Sequence, residues 1–145
     1  MTSQLALELK ADLPELDRLN DAVEAFGETQ AWTPQVLFKV RLALEELVIN
    51  VMTHGDEGLD ASANTLPPRI LVTLVQKGTQ LSVVVADTGV AFNPLQKPPP
   101  DLTSCVEDRP IGGLGVHLVA QLMDSVAYQR DGEWNRVTLT KNLHG

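Results

Sequence analysis

Residues 81–89 read LSVVVADTG, an apolar and largely β-branched run that ends in Asp87 and turns at Gly89. The stretch Leu81 to Ala86 is apolar enough to lie centrally in a sheet. Just upstream, Ile70 to Val75 has the same character, and Lys77 with Gly78 separates the two runs, which predicts a hairpin. Further back, Thr33 and Pro34 supply an N-cap and a first-turn proline, and Val36, Val40, Leu44, Leu47, Val48 and Val51 then build one apolar helix face. That helix is expected to run to about His54 and stop at Gly55. An earlier helix opens at Pro14, carries Leu16, Leu19, Val23 and Phe26 inward and is expected to end at Gly27, behind a short strand from Gln4 to Leu9.

Downstream of Asp87 the pattern breaks. Thr88 to Gly113 holds Pro94, Pro98, Pro99, Pro100 and Pro110 and no periodicity, and a connection of about two dozen residues is long for a compact domain, so it reads as a lid. Leu114, Leu118, Val119 and Leu122 then predict a third helix, and Asp131-Gly132 predicts the turn of a last hairpin that closes with Trp134 to Lys141. Strand, two helices, hairpin, lid, helix and hairpin in that order imply an α+β fold. The expected architecture is a two-layer sandwich, with about three helices on one face of a mixed, mostly antiparallel sheet.

Composition narrows the function. The 145 residues suit one domain, 1–145, with 43% hydrophobic and 21% charged residues as in ordinary soluble domains. Eleven basic against nineteen acidic side chains give a net charge of −8, which argues against direct nucleic-acid binding. Cys105 is the single cysteine, so no internal disulfide or multi-cysteine zinc site forms and a reducing compartment is expected. No signal peptide and no membrane span is read, which places the chain in the cytoplasm.

Three groups of residues could carry chemistry. Glu46, Asn50 and His54 are spaced by four and share one stripe of the second helix. A carboxylate and an amide oxygen one turn apart suit a proton acceptor beside magnesium, although a lone pair of this kind is more often a solvated helix edge. Asp87 at a strand end suits the exocyclic amine of adenine, with Gly89 allowing a flat ring close to the backbone; alone, Asp-Thr-Gly is most often just a turn. Gly112, Gly113, Leu114 and Gly115 lead into the third helix, where free amides favour a phosphate. The chain has neither a Walker-type loop nor a full dinucleotide glycine fingerprint.

In combination these groups become specific. The segments EELVINVMTHG, DTGVAFNP and IGGLGVHLVAQLMDSV resemble the N, G1 and G2 boxes of the Bergerat-type ATP-binding fold. Phe92 and Pro94 after Asp-Thr-Gly, and RPIGGLGVHL from Arg109 to Leu118, look most like the anti-sigma factor serine/threonine kinases. The resemblance spans about Leu5 to Lys141. It implies that Glu46 is the general base, that Asn50 ligates Mg2+, that Asp87 accepts the adenine amino group beside Gly89, and that Gly113 and Gly115 hold the phosphates. Phe92, Gly112 and Leu114 belong to the same ATP-binding boxes. Arg109 is a candidate for the terminal phosphate or a solvent-facing lid charge, and His54 either lies near the phosphates or simply complements the helix dipole.

Such a kinase phosphorylates a serine or threonine on an anti-anti-sigma (STAS-type) partner and binds a sigma factor in competition with it. Family members commonly dimerise, so a homodimer is one expected assembly. The alternative is a non-catalytic partner-switching module in which nucleotide only orders the lid. One departure stands out. Related folds place Gly-Thr on the last strand, where the threonine supports adenine through water; here the chain reads Glu133-Trp134-Asn135-Arg136, leaving Asn135 as the candidate substitute.

Overall fold

The computed structural model describes residues 2–54, 68–89 and 119–143. In chain order the elements are β1 (Thr2–Leu9), α1 (Glu15–Thr29), α2 (Pro34–His54), β2 (Ile70–Lys77), β3 (Gln80–Asp87), β4 (Ser125–Asp131) and β5 (Trp134–Asn142). Residues 119–122 are helical as well. The strands form one sheet in the order β1-β2-β3-β5-β4, and every ladder is antiparallel. This is the expected α+β arrangement, with the Leu81 run at the centre of the sheet.

Two tight turns fix the register. Lys77 faces Gln80 and Asp131 faces Trp134, so each hairpin turns through two residues. Gly78 and Gly132 open those turns at φ of 58° and 62°, a region that side chains disfavour. Register then aligns one face of the sheet in rows. Leu7, Val72, Val85, Val137 and Tyr128 form one row; Leu5, Leu74, Val83, Leu139 and Val126 form the next. The helices cover this face. Leu19 and Val23 of α1 and Val40, Leu44 and Val48 of α2 are fully buried in one cluster with Val72, Leu74, Val83 and Leu139. Each such side chain contributes roughly 1.5–3 kcal/mol on burial. Past the helical residues 119–122, Lys141 reaches across from β5 and donates to the Leu122 carbonyl at 3.2 Å. Among the described residues, no helix is long and apolar enough to cross a membrane.

The start of α2 follows the sequence: Thr33 Oγ1 accepts the Val36 N–H at 3.2 Å. The end of α1 does not. Rather than stopping at Gly27, the helix continues to Thr29. Its terminus is a Schellman-type closure, with Trp32 N–H donating to the Gly27 carbonyl at 2.9 Å and Ala31 N–H to the Glu28 carbonyl at 3.1 Å. The left-handed residue of that closure is Ala31, at φ 61°. Gly27 is needed for a different reason. A Cβ there would lie 2.7 Å from the Trp32 ring and 3.3 Å from a Leu37 methyl. Trp32 in turn stacks edge-on against Phe26, with centroids 5.6 Å apart, and donates Nε1–H to Gln76 at 2.8 Å.

Two substitutions should therefore act with opposite sign. Ala31→Gly relieves a left-handed alanine and is expected to stabilise the chain by about 1 kcal/mol. Gly27→Ala forces an overpacked ring contact and is expected to destabilise by about 1–3 kcal/mol, despite alanine's better helix propensity. Urea unfolding of both single variants measures the pair; a stabilised Gly27→Ala would remove the packing role assigned to that glycine.

Candidate functional site

At one end of the covered face the apolar rows give way to polar residues. Register places Asp87, the last residue of β3, between Ile70 of β2 and Asn135 of β5, with Arg130 of β4 opposite Asn135. Both Asp87 and Asn135 are buried, at 7% and 4% exposure. A carboxylate taken from water in this way needs donors. Asp87 Oδ1 accepts the Gly89 N–H at 2.9 Å, an Asx-type turn, and the Asn135 Nδ2–H at 3.0 Å. Among the described residues no donor reaches Oδ2.

The amide of Asn135 is oriented by its surroundings. Its Nδ2 also approaches the Gly89 carbonyl at 3.4 Å, while its Oδ1 accepts the Tyr128 hydroxyl at 2.6 Å. Reversing the amide would set its oxygen against the Asp87 carboxylate and the Gly89 carbonyl, three acceptors with no proton between them. Arg130 donates to the Gly89 carbonyl at 3.0 Å and holds the turn from the other side. Burial pushes the Asp87 carboxyl above the ordinary aspartate range, while the bonds from Asn135 and Gly89 and the Arg130 charge pull it back.

Beyond Asp87 the β2–β3 ladder gains one further step. Thr88 N–H donates to the Arg69 carbonyl at 3.1 Å, and Arg69 N–H donates to Thr88 Oγ1 at 2.8 Å. The Arg69 guanidinium pairs with Glu8 at 2.7 Å and lies 5.6 Å above the Trp134 ring. A cavity of about 710 Å³ opens at this same end of the sheet, with Lys10, Asp12, Arg18 and Arg69 in its wall. Arg18 donates to the Glu8 carbonyl at 2.8 Å and Arg69 to the Glu8 carboxylate, so both guanidinium groups are already engaged there. Among the described residues, Asp87, Glu46 and Asn50 stand outside its wall.

On α2, Glu46 is half-buried and Asn50 is buried at 5% exposure. Asn50 is thus no solvated edge residue. Its Nδ2 has no hydrogen-bond partner among the described residues, an omission that ordinarily costs about 1–3 kcal/mol. Burial, and secondarily the neighbouring charge of Glu45, raises the Glu46 carboxyl above the usual glutamate range. The buried amide fits a magnesium–phosphate ligand: its oxygen is a hard donor for the cation, and its unpartnered NH2 suits a phosphate oxygen.

Of the residues the sequence singled out, the structure brings Asp87, Gly89 and Asn135 into one hydrogen-bonded group, and sets Glu46 and Asn50 along α2. The backbone of His54 ends α2, but its side chain lies outside the described residues, as do Phe92, Arg109, Gly112, Gly113, Leu114, Gly115, Cys105 and the lid from residue 90 onward. Tyr128 and Arg130 are additions. In sequence both look like ordinary exposed-strand residues, and only the turn at Asp131-Gly132, which sets Arg130 against Asn135, hinted at a link.

The chain resembles known proteins along most of its length. The family model for the histidine kinase-like ATPase domain matches residues 9–141. Serine/threonine-protein kinase BtrW of Bordetella bronchiseptica is 32% identical over 111 residues, covering 77% of this chain and 74% of that protein. Serine-protein kinase RsbW of Bacillus pumilus is 30% identical over 109 residues, covering 72% of this chain and 64% of that protein. A solved structure of the RsbU and RsbW domains of Rv1364c from Mycobacterium tuberculosis superposes with a TM-score of 0.67 at 15% identity. That match takes in 97% of this chain and 32% of the longer one, and it speaks to the fold. With a family match from residue 9 to 141 on the observed α+β sandwich, the chain belongs to the histidine kinase-like ATPase domain family.

Proposed function

We propose that the chain is an ATP-dependent serine/threonine protein kinase that modifies an anti-anti-sigma (STAS-type) partner and sequesters a sigma factor in competition with it. It would act in the cytoplasm as one domain, with residues 88–113 closing over the nucleotide. The observation that carries the nucleotide reading is Asp87: a buried carboxylate with Oδ1 held by two donors and Oδ2 reached by none of the described residues. An amino group on a flat base, laid beside Gly89, supplies the donor that Oδ2 lacks. The kinase reading draws on the two relatives named as kinases and on the half-buried Glu46.

In this reading Glu46 orients the partner's hydroxyl and takes its proton as the oxygen attacks the terminal phosphorus. The bond from that phosphorus to the bridging oxygen breaks, and ADP leaves with the electron pair. A carboxyl raised above its usual range is a stronger base than an ordinary glutamate. Asn50 would offer its oxygen to magnesium, which when bound neutralises phosphate charge. The amides of Gly112, Gly113, Leu114 and Gly115 would receive the phosphates, and Arg109 would approach the terminal one.

Asp87→Asn tests the nucleotide site. The variant keeps an acceptor for Asn135 and Gly89 but turns an NH2 toward the base. Calorimetry with ATP and magnesium is expected to show affinity reduced by roughly 10- to 100-fold. The melting temperature of the free protein should hold or rise at neutral pH. The sign follows from linkage: burial raises the Asp87 pKa in the folded state, so the fold loses stability as pH climbs through that raised value, and an amide carries no such loss. Undiminished ATP affinity would overturn the assignment.

Glu46→Gln is expected to keep nucleotide affinity and lower phosphate transfer to the cognate STAS-domain protein by about 10²- to 10⁴-fold. In the unmutated chain, transfer should decline on the acid side at a pH above the ordinary glutamate range. Glu45→Gln removes one of the two causes of that rise, so it should move the acid limb to lower pH. Transfer rates across a pH series measure both effects; a limb unmoved by Glu45→Gln would assign it to another group.

A further inference from the structure

The family resemblance leads to Asp87 but says nothing of β4, and it expects threonine where this chain has Asn135. The structure replaces that threonine with a chain of hydrogen bonds. Tyr128 donates its hydroxyl to Asn135 Oδ1 at 2.6 Å, and Asn135 donates Nδ2–H to Asp87 Oδ1 at 3.0 Å. Tyr128 does not face Asn135 across the ladder. It faces Val137 and reaches Asn135 on the diagonal, a span suited to an aromatic side chain.

From this geometry we propose that Tyr128 and Asn135 are positioning residues that turn Asp87 so that Oδ2 alone faces the base, making edge-strand Tyr128 a determinant of selectivity for purines bearing a 6-amino group. The proposal rests on the nucleotide reading above and deepens it. The directions of the donors leave little freedom. The Tyr128 proton occupies the amide oxygen, which obliges the amide to present NH2 to the carboxylate, and that NH2 together with the Gly89 N–H occupies Oδ1. The carboxylate then presents an acceptor to the base and no donor. A 6-amino group satisfies it, whereas a 6-carbonyl sets oxygen against oxygen. Arg130 steadies the same loop by holding the Gly89 carbonyl at 3.0 Å. Asn135 is 4% exposed, so water has little access with which to replace the Tyr128 bond.

The test separates positioning from folding by comparing two nucleotides. Wild type and Tyr128→Phe are titrated calorimetrically with magnesium and either ATP or purine riboside triphosphate, which lacks the 6-amino group. Wild type should favour ATP by at least about 10-fold. Tyr128→Phe should weaken ATP by about 3- to 10-fold and leave purine riboside triphosphate unchanged, shrinking the preference. Equal weakening of both nucleotides, or an unchanged preference, would overturn the relay. If wild type shows no preference at all, the Asp87 reading falls first and the relay with it.

A double-mutant cycle covers the case in which the single variant loses stability. Asn135→Thr retains a hydroxyl donor for Asp87 but offers no amide to be oriented, so adding Tyr128→Phe in that background should change the ATP preference by less than about 2-fold. Independent, additive effects of the two substitutions on that preference would also sink the proposal.

Discussion

A carboxylate buried at the end of an apolar central strand has to find its hydrogen bonds within the protein, and much of the polar architecture around Asp87 answers that need. Three strands contribute. β3 carries the carboxylate and folds Gly89 N–H back onto it, β5 supplies the Asn135 amide, and β4 supplies Tyr128 to orient that amide and Arg130 to hold the Gly89 carbonyl. The arrangement depends on register. The two-residue turn of the β4–β5 hairpin sets Arg130 against Asn135, and the β3–β5 ladder sets Asn135 against Asp87; a slip of a single residue in the β3–β5 ladder would send Asn135 and Arg130 to the face opposite Asp87.

The helical layer repeats the theme with a different group. Burial of the apolar face of α2 against the sheet carries Asn50 inward with it, since the residue lies one turn from buried Leu47 and about 60° from it in helical phase. Glu46, one turn earlier, is only half-buried. A cation ligand profits from desolvation, which strengthens its hold on charge. A general base needs access to an incoming hydroxyl. In the roles proposed for them, the depth of Asn50 suits a cation ligand and the partial exposure of Glu46 suits a base.

The sequence made the layers legible because hydrophobic periodicity is strong in the elements that bury most surface, the α2 face from Val36 to Val51 and the run Leu81–Ala86, while the glycines at Gly78 and Gly132 mark the hairpin turns. It misplaced the end of α1 because glycine has two uses. At Gly27 the absence of a side chain admits the Trp32 ring, and the left-handed closure that glycine usually supplies falls to Ala31. Pattern alone cannot tell a glycine chosen for φ from one chosen for room. At the candidate site, the resemblance and the spacing along α2 singled out Asp87 and Asn50, and both are buried. The Tyr128–Asn135 pairing was not, since it requires knowing that β5 lies between β3 and β4, and strand order across a crossover leaves no local mark.

Among the described residues the site carries two buried polar features: the Asn50 Nδ2 without a hydrogen-bond partner and the Asp87 carboxylate, desolvated and held through Oδ1 alone. A buried amide left unpartnered ordinarily costs about 1–3 kcal/mol, and desolvation of the Asp87 carboxylate also works against the fold, both set against the burial energy of the core. A ligand that donates to Asp87 and accepts from Asn50 converts both liabilities into binding energy, and it does so only in the folded state. Occupancy and stability are thereby coupled through mass action. The coupling has a direction as well. A core packed by Leu19, Leu44, Leu74 and Leu139 holds the two groups at fixed places on separate layers, so the ligand must match their chemistry rather than reshape it. Consistency between a rigid apolar scaffold and the polar groups it fixes lets a small sandwich present such a site without a large dedicated binding domain.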